Sequence, residues 1–250
     1  MTYYDLPLLK PPVWTWEVPA YFFVGGAAGA VSVIGVAAQL TGGDEKLIRD
    51  ARWIALIGAT VSGPLLISDL GRPERFLNML RVFKPKSPMS VGVWTLSAFA
   101  TASAGAALLP NKTLRDVSAI ISAATGLVMA TYTGVLLGVT AIPLWRDHAD
   151  FLPVHFGTSA FGSAVSLLEL AGHRNDALHS LGTAAAAFES AADFALANDT
   201  KLLRAAGALA GPIPFVLRLF GKRKAAAAAT LAGSLLTRFA WVEGGKASVR

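Results

Sequence analysis

Glu17 and Tyr21 stand four residues apart, and a second phenol, Tyr132, interrupts an apolar run as Ala130-Thr131-Tyr132-Thr133-Gly134. On a helix, a spacing of four puts Glu17 and Tyr21 on one face. A phenol donates a hydrogen bond to a quinone carbonyl, and a nearby carboxylate exchanges protons with the hydroquinone. These three residues are therefore candidates for a catalytic, quinone-binding set. The alternative is structural, with Tyr21 as an interfacial aromatic and Tyr132 bonded to a neighbouring helix.

A second constellation is Asp69 with Arg72 and Arg75, in Leu66-Ile67-Ser68-Asp69-Leu70-Gly71-Arg72-Pro73-Glu74-Arg75-Phe76. Charge at the mouth of an apolar helix meets a partner or a ligand. Either Asp69 and Arg72 pair and serve packing, or Arg72 steadies the first constellation while Asp69 lines a proton inlet. The third constellation is acidic: Glu169, and then Glu189 and Asp193, which share a face. Intramembrane carboxylates often mark proton routes, although these could also face a loop or a partner chain.

The four histidines, His148, His155, His173 and His179, cluster where facing imidazoles at equal depth are not expected, so no haem is expected. Cysteine is absent, which excludes disulfides, thiolate zinc and any iron–sulfur cluster ligated by this chain. No metal site, phosphate-binding glycine loop or nucleophile with an adjacent base is recognisable.

The elements that must position these groups are long apolar helices. Of 250 residues, 54% are hydrophobic and only 15% charged, with a mean hydropathy of +0.52. Charges collect in short patches and leave windows of roughly 20 residues, enough to cross a bilayer. The net charge of +6 would suit nucleic acid in a soluble protein. Here Lys and Arg fall in connecting loops, so the bilayer is the expected partner and nucleic acid is not.

Apolar periodicity predicts eight crossings, at about 19–40, 47–70, 91–109, 117–142, 151–171, 177–197, 202–220 and 225–242. Pro64 is expected to kink the second, and Pro212 and Pro214 to break the seventh. Residues 74–83 suggest a short interfacial helix in a basic connector. Pro143 ends the fourth crossing, with Trp145 at the interface. The Gly25-to-Ala30 run of small residues allows close backbone approach. Residues 1–16 carry Asp5, Lys10 and three prolines and read as an extended arm rather than a cleavable signal. Lys and Arg divide almost evenly between alternate loops, so orientation is not fixed. The fold class is all-α and polytopic. Residues 1–145 hold the arm and the first four helices, and residues 146–250 hold the other four.

Several of these pieces together resemble the NrfD/PsrC family, the quinone-reactive membrane subunits of polysulfide reductase and related complexes. They are Trp14-Thr15-Trp16, Tyr21-Phe22-Phe23-Val24-Gly25-Gly26, Asp69-Leu70-Gly71-Arg72-Pro73-Glu74-Arg75-Phe76, Ser87-Pro88-Met89-Ser90-Val91-Gly92-Val93-Trp94, Tyr132-Thr133-Gly134 and Pro143-Leu144-Trp145. The resemblance implies two four-helix bundles without haem, in a bacterial cytoplasmic (inner) membrane. It implies a quinone or menaquinone site at Tyr21 and Tyr132, together with Glu17, Asp69 and Arg72. The implied partners are a ferredoxin-like iron–sulfur subunit and a molybdopterin or multihaem catalytic subunit. Such a chain is the quinone-reactive subunit of a larger oxidoreductase rather than an enzyme alone. In the polysulfide reductase branch, Asn and His stand where this chain has Val18 and Tyr21, which leaves Glu17 as the candidate acid–base group. Competing readings are a structural membrane anchor and a proton or solute transporter that uses Glu169, Glu189 and Asp193.

Overall fold

The computed structural model describes residues 9–72, 74–195 and 201–249. The first half of the predicted arm, Pro73 of the Gly-Arg-Pro turn and the predicted end of the sixth crossing lie outside the described residues. Among the described residues, regular structure is entirely helical: α1 (Glu17–Leu40), α2 (Glu45–Asp69), α3 (Glu74–Leu80), α4 (Pro88–Leu108), α5 (Lys112–Gly138), α6 (Pro143–Asp147), α7 (Leu152–Leu170), α8 (Asp176–Ala195), α9 (Lys201–Ala210), α10 (Pro212–Leu219) and α11 (Arg223–Ala247). Among the described residues, six helical stretches are long and apolar enough to cross a membrane: α1, α2, α4, α5, α9 with α10, and α11. Of the other two long helices, α7 is rich in Ser and Gly and α8 in Ala.

Helix α1 lies at the centre, packed on α2, α5, α7 and α11. Its small residues make that possible, because between apolar helices close backbone contact replaces the hydrophobic drive. Gly29 abuts Gly126 of α5 so closely that a Cβ on either would overlap the other's backbone. Ser32 tightens the crossing by donating to the Ser122 carbonyl at 3.2 Å. Helix α4 packs on α5 and α2, while α8, α9 and α10 pack with one another, and α7 and α11 complete that side.

Several helices begin earlier than periodicity suggests, and three of these starts, at α2, α4 and α5, have a side-chain cap. Asp44 accepts from the Lys46 N–H, Ser87 from Ser90 and Asn111 from Leu114. These caps bring charged or polar first turns into the helix. Helix α2 runs through Pro64 to Asp69 and stops at Gly71, whose φ of +66° suits a residue without a Cβ. The break in the seventh crossing falls at Gly211, and Pro212 begins a new helix there.

Trp145 faces inward. It is fully buried, its indole N–H donates to the Trp241 carbonyl at 2.7 Å, and Trp14 stacks on it at 5.3 Å. A Cβ on Gly245 would overlap its ring. The arm, α6 and α11 are thereby tied at one end of the molecule.

Candidate functional site

One end of α1, α2, α4 and α5, with α3 across it, encloses a narrow apolar cleft lined by Val18, Tyr21, Asp69, Met79, Met89 and Tyr132 among others. Its free interior volume is about 40 Å³, room for a few waters but less than a quinone ring fills. Met79 and Met89 form part of its wall, and their flexible thioethers can move aside for a ring.

The phenols meet inside this cleft: Tyr21 and Tyr132 lie 3.0 Å apart, oxygen to oxygen. Tyr21 is fully enclosed, packed beside Phe22, so it does not belong to an aromatic belt. Two phenols own two protons but their mutual bond uses one. The second O–H is therefore free for a ligand, as are the remaining oxygen lone pairs. Gly92 of α4 sits against the Tyr132 ring, leaving no room for a Cβ. It lets α4 close on the phenol.

Asp69 is half-buried at the cleft edge. Its Oδ1 accepts from the Thr15 N–H at 3.1 Å and from the Thr15 hydroxyl at 3.0 Å. That hydroxyl also contacts Glu17 Oε2. Thr15 therefore links Glu17, which does not line the cleft, to Asp69, which does. Of the two arrangements open to Asp69 and Arg72, the mutual ion pair is not formed. Arg72 is exposed and outside the cleft lining, while Arg75 donates to the Leu70 carbonyl ending α2. Beyond Met79 and Met89 lies an open basic surface that includes Arg75, Arg81 and Lys84.

The acidic set divides. Glu169 of α7 is held by Arg218 of α10 through two bonds of 2.8 Å, both groups fully buried. A Cβ at Gly182 would overlap that guanidinium. Glu189 and Asp193 instead line a small cavity with His155 and Thr237. Glu189 Oε2 stands 3.6 Å from His155 Nδ1. Neither Glu189 oxygen nor either His155 ring nitrogen has a hydrogen bond among the described residues. Arg238 is buried nearby, 4.2 Å over the Phe156 ring and donating to the Phe156 carbonyl at 2.9 Å. Of the other histidines, His173 bonds Asp50 of α2 at 2.9 Å, and His148 contacts the Leu144 carbonyl at 2.9 Å.

Sequence reasoning missed Thr15, Gly92, Arg218 and Arg238. The arginines carried a signal, since a guanidinium inside an apolar helix needs a partner. Thr15 and Gly92 carried none that spacing alone reveals.

The sequence model of the polysulphide reductase NrfD family matches residues 8–197. That span includes both phenols, Asp69, and His155, Glu189 and Asp193 of the second cavity, and ends before α9, so the rest of that cavity's wall lies beyond it. No curated protein matches the chain.

Proposed function

The chain belongs to the polysulphide reductase NrfD family of respiratory membrane subunits, and we propose that it binds quinone or quinol in the cleft between α1, α2, α4 and α5. The observation that carries this reading is the Tyr21–Tyr132 pair, with one O–H to spare at an apolar cleft. A quinone carbonyl takes the free phenol proton as a hydrogen bond, and the ring replaces water between Met79 and Met89. Reducing one quinone takes two electrons from a partner chain's iron–sulfur centres and two protons; oxidising the quinol returns both. Asp69, at the cleft edge, can hand a proton across, and Thr15 connects it to Glu17. Arg72, exposed and outside the cleft lining, belongs with Arg75, Arg81 and Lys84 to a basic docking face for the iron–sulfur subunit.

On this reading all eight long segments cross a bacterial cytoplasmic membrane as two four-helix groups, divided near residue 145. The chain then works as the quinone-reactive anchor beside a molybdopterin or multihaem catalytic subunit. A proton route through the second group is favoured by the unbonded Glu189 and His155, with Asp193 beside them. Glu169, clamped by Arg218, takes no part in it.

The test is quinone extraction and quinol-analogue turnover in the purified complex, for the native chain and Tyr132→Phe. Retained quinone in the native complex, with turnover down at least about tenfold in the variant, is the expected result, in keeping with loss of one hydrogen bond in the transition state. Unchanged turnover, or no quinone in either preparation, supports the structural-anchor reading instead. Proton or solute flux in liposomes from this chain alone would support the transporter reading.

A further inference from the structure

At the opposite end of α1 from the phenols, the first turns of α2 and α5 face each other across an open cavity of about 680 Å³. Its wall carries Arg49, Arg52, Lys112 and Arg115, against two carboxylates, Glu45 and Asp116. Asp116 is committed to Arg52 at 2.9 Å, and Arg52 also donates to Gln39 at 2.8 Å. Arg115 Nε is buried without a hydrogen-bond partner among the described residues. The N-terminus of α5, capped by the neutral Asn111, adds partial positive charge. Arg49 lies 3.7 Å from Asp50, and Arg52 Nε, like Arg115 Nε, lacks an acceptor among the described residues; the unspent positive charge of the cavity is therefore carried chiefly by Lys112 and Arg115.

What leads away from the cavity is apolar. Trp53 is on its wall, and Ile57 and Val61 continue from it at helical spacing along the same stripe of α2. All three are exposed. Leu108 at the end of α4, and Leu114 and Val117 on α5, are exposed on the neighbouring helices. A soluble anion would use the cations and ignore this track. An anionic phospholipid uses both, with its phosphate among the arginines and its acyl chains along the helices.

We infer that this cavity binds the phosphate headgroup of an anionic phospholipid, one acyl chain lying along Trp53, Ile57 and Val61. The site stands apart from the quinone cleft, so its lipid would be a structural ligand of the far leaflet.

The test uses the purified full chain, with dioleoyl phosphatidylglycerol, dioleoyl phosphatidylcholine and inorganic phosphate as probes. Adducts are read by native mass spectrometry and thermal protection by the unfolding midpoint in detergent. The native chain should retain and be protected by phosphatidylglycerol in preference to phosphatidylcholine. The double variant Arg49→Gln/Arg115→Gln should weaken phosphatidylglycerol binding about thirtyfold, as removal of two interfacial cations implies. If that variant fails to fold, Lys112→Gln alone should weaken it about fivefold. Arg75→Gln/Arg81→Gln, at the other end, should leave it unchanged. The inference is overturned if the cavity variants bind phosphatidylglycerol like the native chain, or if the distant pair weakens it equally. It is likewise overturned if inorganic phosphate protects as well as the lipid.

Discussion

The two halves of the molecule keep their buried polar groups in opposite ways. In the first half, two neutral phenols share one bond at the side of a cleft, and the nearest carboxylate, Asp69, is only half-buried. In the second half, full charges are sealed in: Glu169 with Arg218, and Arg238 over Phe156. A neutral hydrogen bond nets only about 0.5–1.5 kcal/mol, and a ligand oxygen can replace either partner. A buried ion pair cannot open so cheaply, because each partner alone is an uncompensated charge in an apolar interior. The first arrangement suits exchange with a ligand; the second holds helices in register.

The largest expected effect tests the sealed half. Glu169→Gln leaves the Arg218 guanidinium buried without its countercharge and should cost about 3–5 kcal/mol of stability. Unfolding midpoints in detergent would measure it. The apolar double change Glu169→Leu/Arg218→Met should recover most of that loss, because it removes both charges together. A Glu169→Gln cost as small as that of a phenol change would erase the contrast between the halves.

Next comes Gly92→Ala. A methyl there collides with the Tyr132 ring, and overpacking of this kind costs about 1–3 kcal/mol. It also displaces the phenol, so quinol-linked turnover should fall by more than the lost stability accounts for, with quinone retention reduced. Normal turnover in a folded variant would mean that the ring's placement does not matter to the chemistry. Tyr21→Phe is expected to be milder for the fold. It deletes one neutral bond and should lower stability by about 0.5–1.5 kcal/mol, measured by the same unfolding midpoint.

These contrasts were only partly legible in the sequence. Apolar runs punctuated by Gly and Pro placed every long helix, since burial at helical period is a strong local signal. Starts were read late at α2, α4 and α5, because Glu45, Pro88 and Lys112 look like loop residues until their caps are known. Tyr21 and Tyr132 meet across 111 residues of sequence, a contact that neither residue's local pattern encodes. Asp69 and Arg72 do not pair, because a partner 54 residues away, Thr15, takes the carboxylate first, and sequence spacing sees only near neighbours. The inward turn of Trp145 was invisible for the same reason: α6 aims it at α11, a contact 96 residues distant.

The smallest effect is also the most pointed one. Thr15 Oγ1 carries a single proton and lies against two carboxylates, Asp69 and Glu17. It can donate to one of them at a time, and water serves the other at this exposed position. The hydroxyl therefore joins the two carboxylates in one hydrogen-bonded chain. Thr15→Val keeps the backbone bond to Asp69 and the residue's shape, and Thr15 is exposed, so stability should change by no more than about 0.5 kcal/mol. Quinone retention should not change either, because Thr15 is not in the cleft wall. Only the turnover should fall, and Thr15→Ser should restore it. A silent Thr15→Val would leave Asp69 exchanging protons with solvent directly, and the first half would then need its phenols but not its carboxylate chain.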